Sequence, residues 1–118
     1  MKVDVIVTEN FKKSAKKLLK KYSSLKFELL ELEKQLIANP KIGAPPGNDC
    51  FKIRLAVKSK GKGKSGGVRI ITHLIINFEI DDADVTKVYL VYIYDKSEFE
   101  SVSQKDISKM IKEIKKED

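Results

Sequence analysis

Seven cations and no acid lie between Cys50 and Phe78: Lys52, Arg54, Lys58, Lys60, Lys62, Lys64 and Arg69. Arginine presents a planar fork that fits a phosphate, and lysine adds a point charge, so the run is suited to holding a phosphate-rich partner. The next stretch, Glu79 to Glu100, reverses the sign, with seven acids against Lys87 and Lys96. Charge segregated in this way points to a polyanion. The competing reading is a hydrated face on a lysine-rich protein, whose net charge is +7.

Part of the run, KSKGKGKSGGVRIITHL from Lys58 to Leu74, contains Gly63-Lys64-Ser65 and so imitates a nucleotide-binding phosphate loop. That loop needs a glycine five positions before Gly63, where Lys58 stands, and a helix after it, where this chain turns β-branched. A hairpin loop fits better, because strand patterns flank it on both sides. Its glycines and mutually repelling lysines predict a mobile loop, Lys58 to Gly67, that orders on binding a partner. Lys58, Lys60 and Lys62 are then expected to contact substrate.

The strands beside the loop position the remaining cations. In FKIRLAV, Phe51, Ile53, Leu55 and Val57 share one face and Lys52, Arg54 and Ala56 the other. In VRIITHLIINFEI, Arg69, Ile71, His73 and Ile75 lie opposite Val68 and Ile70. Pairing the two strands brings Lys52, Arg54 and Arg69 onto one surface. His73 shares the face of Arg69 and has the unperturbed pKa of a general base, yet it lies among isoleucines, as a packed histidine would. Tyr92 and Tyr94 share parity with Lys96; Tyr94 can stack on a base or donate a proton, whereas Tyr92 suits the core. One histidine and one cysteine cannot build a zinc site, and Cys50 has no partner for an intramolecular disulfide.

The 118 residues suffice for one domain, 1–118. Lys2 to Val7 reads as a strand, and Thr8 as the cap of a helix whose apolar stripe is Phe11, Ala15, Leu18, Leu19 and Tyr22. Its other surface is lysine-rich, either an RNA contact or a solvated face. A second helix carries Leu25, Leu29, Leu32 and Leu36 and ends near Asn39-Pro40 and Gly43. Pro45, Pro46 and Gly47 make a rigid loop. Three strands follow, the last, VTKVYLVYIY, apolar on both faces, with Asp81, Asp82 and Asp84 in the turn before it. Ser103 and Asp106 form a capping box ahead of Ile107, Met110, Ile111 and Ile114. The expectation is an α+β fold, β-α-α-β-β-β-α, with an antiparallel sheet packed by an N-terminal helical hairpin and a C-terminal helix. No membrane span or signal peptide is legible, which predicts a cytoplasmic protein.

FKIRL, GKGKSGGVRII and VYLVYIYDKSEFESVS, preceded by two helices and the NPKIG exit, together resemble the RelE/ParE toxin superfamily of bacterial toxin-antitoxin modules. The glycine-lysine insertion before Val68-Arg69 is most similar to its HigB-type RelE branch. The element order matches over nearly the whole chain, the sequence-specific part over residues 50 to 103. The resemblance implies a RelE-like fold and a ribosome-dependent messenger-RNA endonuclease that cuts in the ribosomal A site, needs no cofactor or metal, and is silenced by a cognate antitoxin. It places Lys52, Arg54, Arg69, Lys64 and Lys96 on the family's basic positions. Some RelE-type members carry an arginine near Ser97 and a tyrosine in the final segment, where this chain has neither.

The chemistry implied is attack by the RNA's own 2′-hydroxyl on the adjacent phosphate. The protein must align the atoms, stabilise the phosphorane and move two protons. Arg69, assisted by Arg54, suits the charge; Lys52, Lys64 or Lys96 would move protons only if its pKa fell well below about 10.4. The superfamily also leaves open a non-catalytic ParE-type toxin acting on DNA gyrase. A third reading is an RNA- or ribosome-binding domain whose catalysis has decayed.

Overall fold

A computed structural model describes residues 2–47, 50–61, 66–77, 85–96 and 103–117. The chain runs β1 (Lys2–Val7), α1 (Glu9–Lys21), α2 (Leu25–Ala38), β2 (Ala44–Gly47), β3 (Cys50–Leu55), β4 (Val68–Asn77), β5 (Val85–Asp95) and α3 (Gln104–Glu117). The strands form one sheet in the order β1-β5-β4-β3-β2. β3, β4 and β5 make the expected antiparallel meander, while β1 adds to β5 in parallel, so the sheet is mixed.

The helix boundaries follow local chemistry. Thr8 Oγ1 accepts a hydrogen bond from the Phe11 N–H at 3.1 Å, capping α1, and Glu9 stands in the first turn against the positive end of the helix. Ser103 Oγ accepts from the Asp106 N–H at 3.2 Å, and Asp106 Oδ2 accepts from the Ser103 hydroxyl at 2.8 Å. That reciprocal pair starts α3 where the capping pattern placed it. Leu19, read as part of the buried stripe of α1, is exposed instead. The stripe needs only Phe11, Ala15, Leu18 and Tyr22 to reach the sheet.

Two apolar layers sandwich the sheet. On one face Phe11, Leu18, Leu25, Leu32 and Leu36 of the helical hairpin pack on Ile53, Val68, Ile70, Val88, Leu90 and Ile93. On the other, Ile107 and Ile114 of α3 pack on Cys50, Ile71, Tyr89 and Val91. No described helix is long and apolar enough to cross a membrane.

The segment Pro45-Pro46-Gly47, read from sequence as a rigid loop, belongs to an edge strand. Ala44 faces Lys52 and Gly47 faces Cys50, with an irregularity between them. Prolines are tolerated there because an edge strand needs hydrogen bonds on one side only. Period-two alternation also breaks in β5. Ile71 pairs with Tyr92 but Thr72 with Leu90, so Val91 is an extra residue. The bulge lets Leu90 and Ile93 enter the same layer although their numbers differ in parity.

Candidate functional site

The loop strands pair with Arg54 directly opposite Arg69, and Arg69 directly opposite Tyr94 on β5. Lys52 lies two residues along β3, opposite Ile71. Lys52, Arg54, Arg69 and Tyr94 are therefore brought together across three adjacent strands. Directly opposed side chains on an antiparallel pair have Cβ atoms about 5 Å apart, and like charges so placed repel.

The two arginines differ in exposure. Arg54 is exposed, whereas Arg69, expected to point outward, is only 5% exposed and donates from Nη1 to the Val68 carbonyl at 3.3 Å. Burial, and next the charge of Arg54, push the Arg69 guanidinium below its usual pKa; Tyr94 acts in the opposite direction. Tyr94 is buried too. Burial holds its phenol above the ordinary value, with the Arg69 charge opposing and Tyr92 adding. The rings of Tyr92 and Tyr94 stack at 6.0 Å, and Tyr92 is the more exposed of the two.

Other candidates sit elsewhere. Lys60 turns inward, its side chain 8% exposed, and its Nζ forms an ion pair with Asp95, which is fully buried. The Tyr22 hydroxyl donates to the same carboxylate at 2.5 Å. Lys58 lies against α2, where its N–H donates to Glu28 Oε2 at 2.7 Å. Ser59 and Ser24 exchange hydrogen bonds, with the Ser59 N–H donating to Ser24 Oγ at 2.9 Å. Thus the start of the expected mobile loop, Lys58 to Gly61, is docked on the turn of the helical hairpin. Lys62 and Lys64 lie outside the described residues. Lys96 is half-buried just past β5, and its N–H donates to the Gly67 carbonyl at 3.2 Å. Gly67 must be glycine there, since a Cβ would stand 2.0 Å from the Leu55 carbonyl oxygen.

His73 is buried four residues along β4 from Arg69, directly opposite Cys50, with Sγ 3.6 Å from Nδ1. This thiol-imidazole contact went unread in the sequence, although the register that opposes Arg54 to Arg69 also opposes Cys50 to His73. Both belong to the strand face that carries α3. Among the described residues no group of three or more His, Cys, Asp or Glu is placed to hold a metal ion.

No family model matches the sequence, and no curated protein matches it. Its fold, however, is similar to that of the E. coli toxin RelE, solved in the free state as a variant with two arginines changed to alanine. The TM-score is 0.54 at 19% identity, over 97% of this chain and 99% of the other. The chain has a RelE-like architecture.

Proposed function

We propose that this protein is a toxin of a type II toxin-antitoxin module that cleaves messenger RNA in the ribosomal A site. The observation that carries the proposal is the cross-strand row Arg54, Arg69 and Tyr94 on the RelE-like sheet. Arg54 opposite a buried Arg69 gathers two guanidinium groups at one point of the sheet, a geometry suited to holding a phosphate.

In the proposed reaction the 2′-oxygen loses its proton and bonds to the adjacent phosphorus. The bond from phosphorus to the 5′-oxygen then breaks, that oxygen gains a proton, and the products are a cyclic phosphate and a free 5′-hydroxyl. Arg69, backed by Arg54, holds the phosphorane charge. Tyr94, whose phenol burial holds above its ordinary pKa, orients or supplies a proton beside Arg69. Lys52 and Lys96 are the described lysines kept as proton-transfer candidates, and Lys64 belongs to the HigB-type reading. No step calls on a metal or cofactor. The partners are the ribosome, the message and a cognate antitoxin.

Expression in bacteria is expected to arrest growth, with primer extension showing cuts inside translated codons that vanish with Arg69→Ala. Intact messages during arrest would overturn the proposal; DNA breaks with intact messages would redirect it to a gyrase-acting toxin.

A further inference from the structure

The outer edge of β5 changes character halfway along. β1 pairs with it only from Val85 to Leu90. Beyond that, Asn10 Nδ2 donates to the Val91 carbonyl at 2.7 Å, and Ser14 Oγ accepts from the Ile93 N–H at 3.2 Å. Side chains of α1 thus occupy the edge where an added strand would pair.

Beside this closed edge lies an open groove of about 440 Å³, lined by Lys13, Lys17 and Lys21 of α1, by Tyr92 and Tyr94 of β5, and by Asp95, whose buried carboxylate is paired with Lys60. The three lysines recur every four residues, so they form one stripe with about 6 Å of axial rise between neighbours. All three are exposed, and Lys21 Nζ also stands 4.0 Å from Asp95 Oδ2. Tyr92 stacks on Tyr94, and Tyr94 faces Arg69. Positive charge therefore continues from the arginines, past two aromatic rings, to the lysine stripe.

We infer that this groove holds the stretch of single-stranded RNA next to the scissile phosphate. Lys13, Lys17 and Lys21 meet successive phosphates, and Tyr92 lies beneath a base. Regularly spaced charge beside flat rings is the chemistry of a nucleic-acid strand. An acidic peptide would bring the charge but find the β5 edge already occupied. The inference rests on the RNA-cleaving reading and specifies where its substrate runs.

The test is binding of a short 2′-O-methylated RNA, which cannot be cut, to the full-length protein over a range of salt. Replacing Lys13, Lys17 and Lys21 together by alanine is expected to lower the slope of log affinity against log salt by about 2, at about 0.7 per phosphate lost. Replacing Lys12, Lys16 and Lys20 removes equal charge from the neighbouring stripe, and the slope is expected to move by less than about 0.7, one phosphate's worth. Circular dichroism checks that both variants fold. Equal slope losses in the two variants, or none in the groove variant, would overturn the inference. So would polyglutamate binding as tightly as RNA and losing affinity in the same groove variant. Loss of slope in the groove variant alone, with no cleavage of translated messages by the wild type, would keep the track and remove the endonuclease. Cleavage by the wild type with an unchanged slope in the groove variant would remove only the track.

Discussion

Two buried cations, Lys60 and Arg69, come from the same acid-free run and meet opposite neighbours. Lys60 is matched to the buried carboxylate of Asp95, which also accepts from Tyr22. Arg69 is set against Arg54 by the strand register. The first arrangement ties the loop to β5 and α1; the second concentrates positive charge on a sheet face. A cation count cannot separate the two roles. What separates them is the partner each side chain reaches.

Experiments that break this contrast should give very different readouts. The largest effect is expected for Asp95→Asn, which leaves the Lys60 charge buried without its carboxylate. Urea denaturation should show a loss of about 3 kcal/mol or more. A triple change, Lys60→Met and Asp95→Leu with Tyr22→Phe, should recover most of that loss, because an apolar cluster avoids the desolvation of both charges and leaves no hydroxyl without its acceptor.

Next is Arg69→Met, which acts on function. Cleavage of translated messages should fall by roughly 100-fold or more, as when a donor to a developing charge is removed. The Tm should change by less than it does in Asp95→Asn, because removing the charge also relieves its repulsion with Arg54. A fall in Tm comparable to that of Asp95→Asn would erase the distinction between the regions. Smaller still, Ser24→Ala should cost about 1 kcal/mol by removing the hydroxyl that accepts from the Ser59 N–H, with little change in cleavage.

The least effect on stability at neutral pH belongs to Tyr94→Phe. The folded-state pKa of Tyr94 is raised, so its stabilising share is complete below the unfolded value and declines as pH rises from about 10 through the folded value. The phenylalanine variant should lose less Tm than the wild type between neutral and strongly alkaline pH. Parallel curves would show that burial does not raise the Tyr94 pKa.

The sequence was most readable where one local rule decided the outcome. Period two in FKIRLAV and VRIITHL placed Lys52, Arg54 and Arg69 on one face, and the Ser103 to Asp106 spacing placed the start of α3. It was least readable where two distant segments met. Lys60 and Asp95 are far apart in the chain, and nothing near Lys60 signals that it turns inward. The extra Val91 in β5 is invisible in a pattern apolar at nearly every position, and Pro45-Pro46 hides a strand that exists only because β3 supplies its partner. The lysine stripe of α1 was legible as charge, whereas the groove beside it required the β5 edge.

The loop base offers a use beyond catalysis. Lys60 Nζ also donates to the Gly67 carbonyl at 3.4 Å, so the same lysine that neutralises Asp95 bridges the two ends of the segment between them. With its ends fixed in this way, that segment is a natural place to splice in foreign sequence, such as an affinity tag or a sensor peptide. Doubling its length would add only about 0.6 kcal/mol of closure entropy, and the register of β3 with β4 would be left as it is.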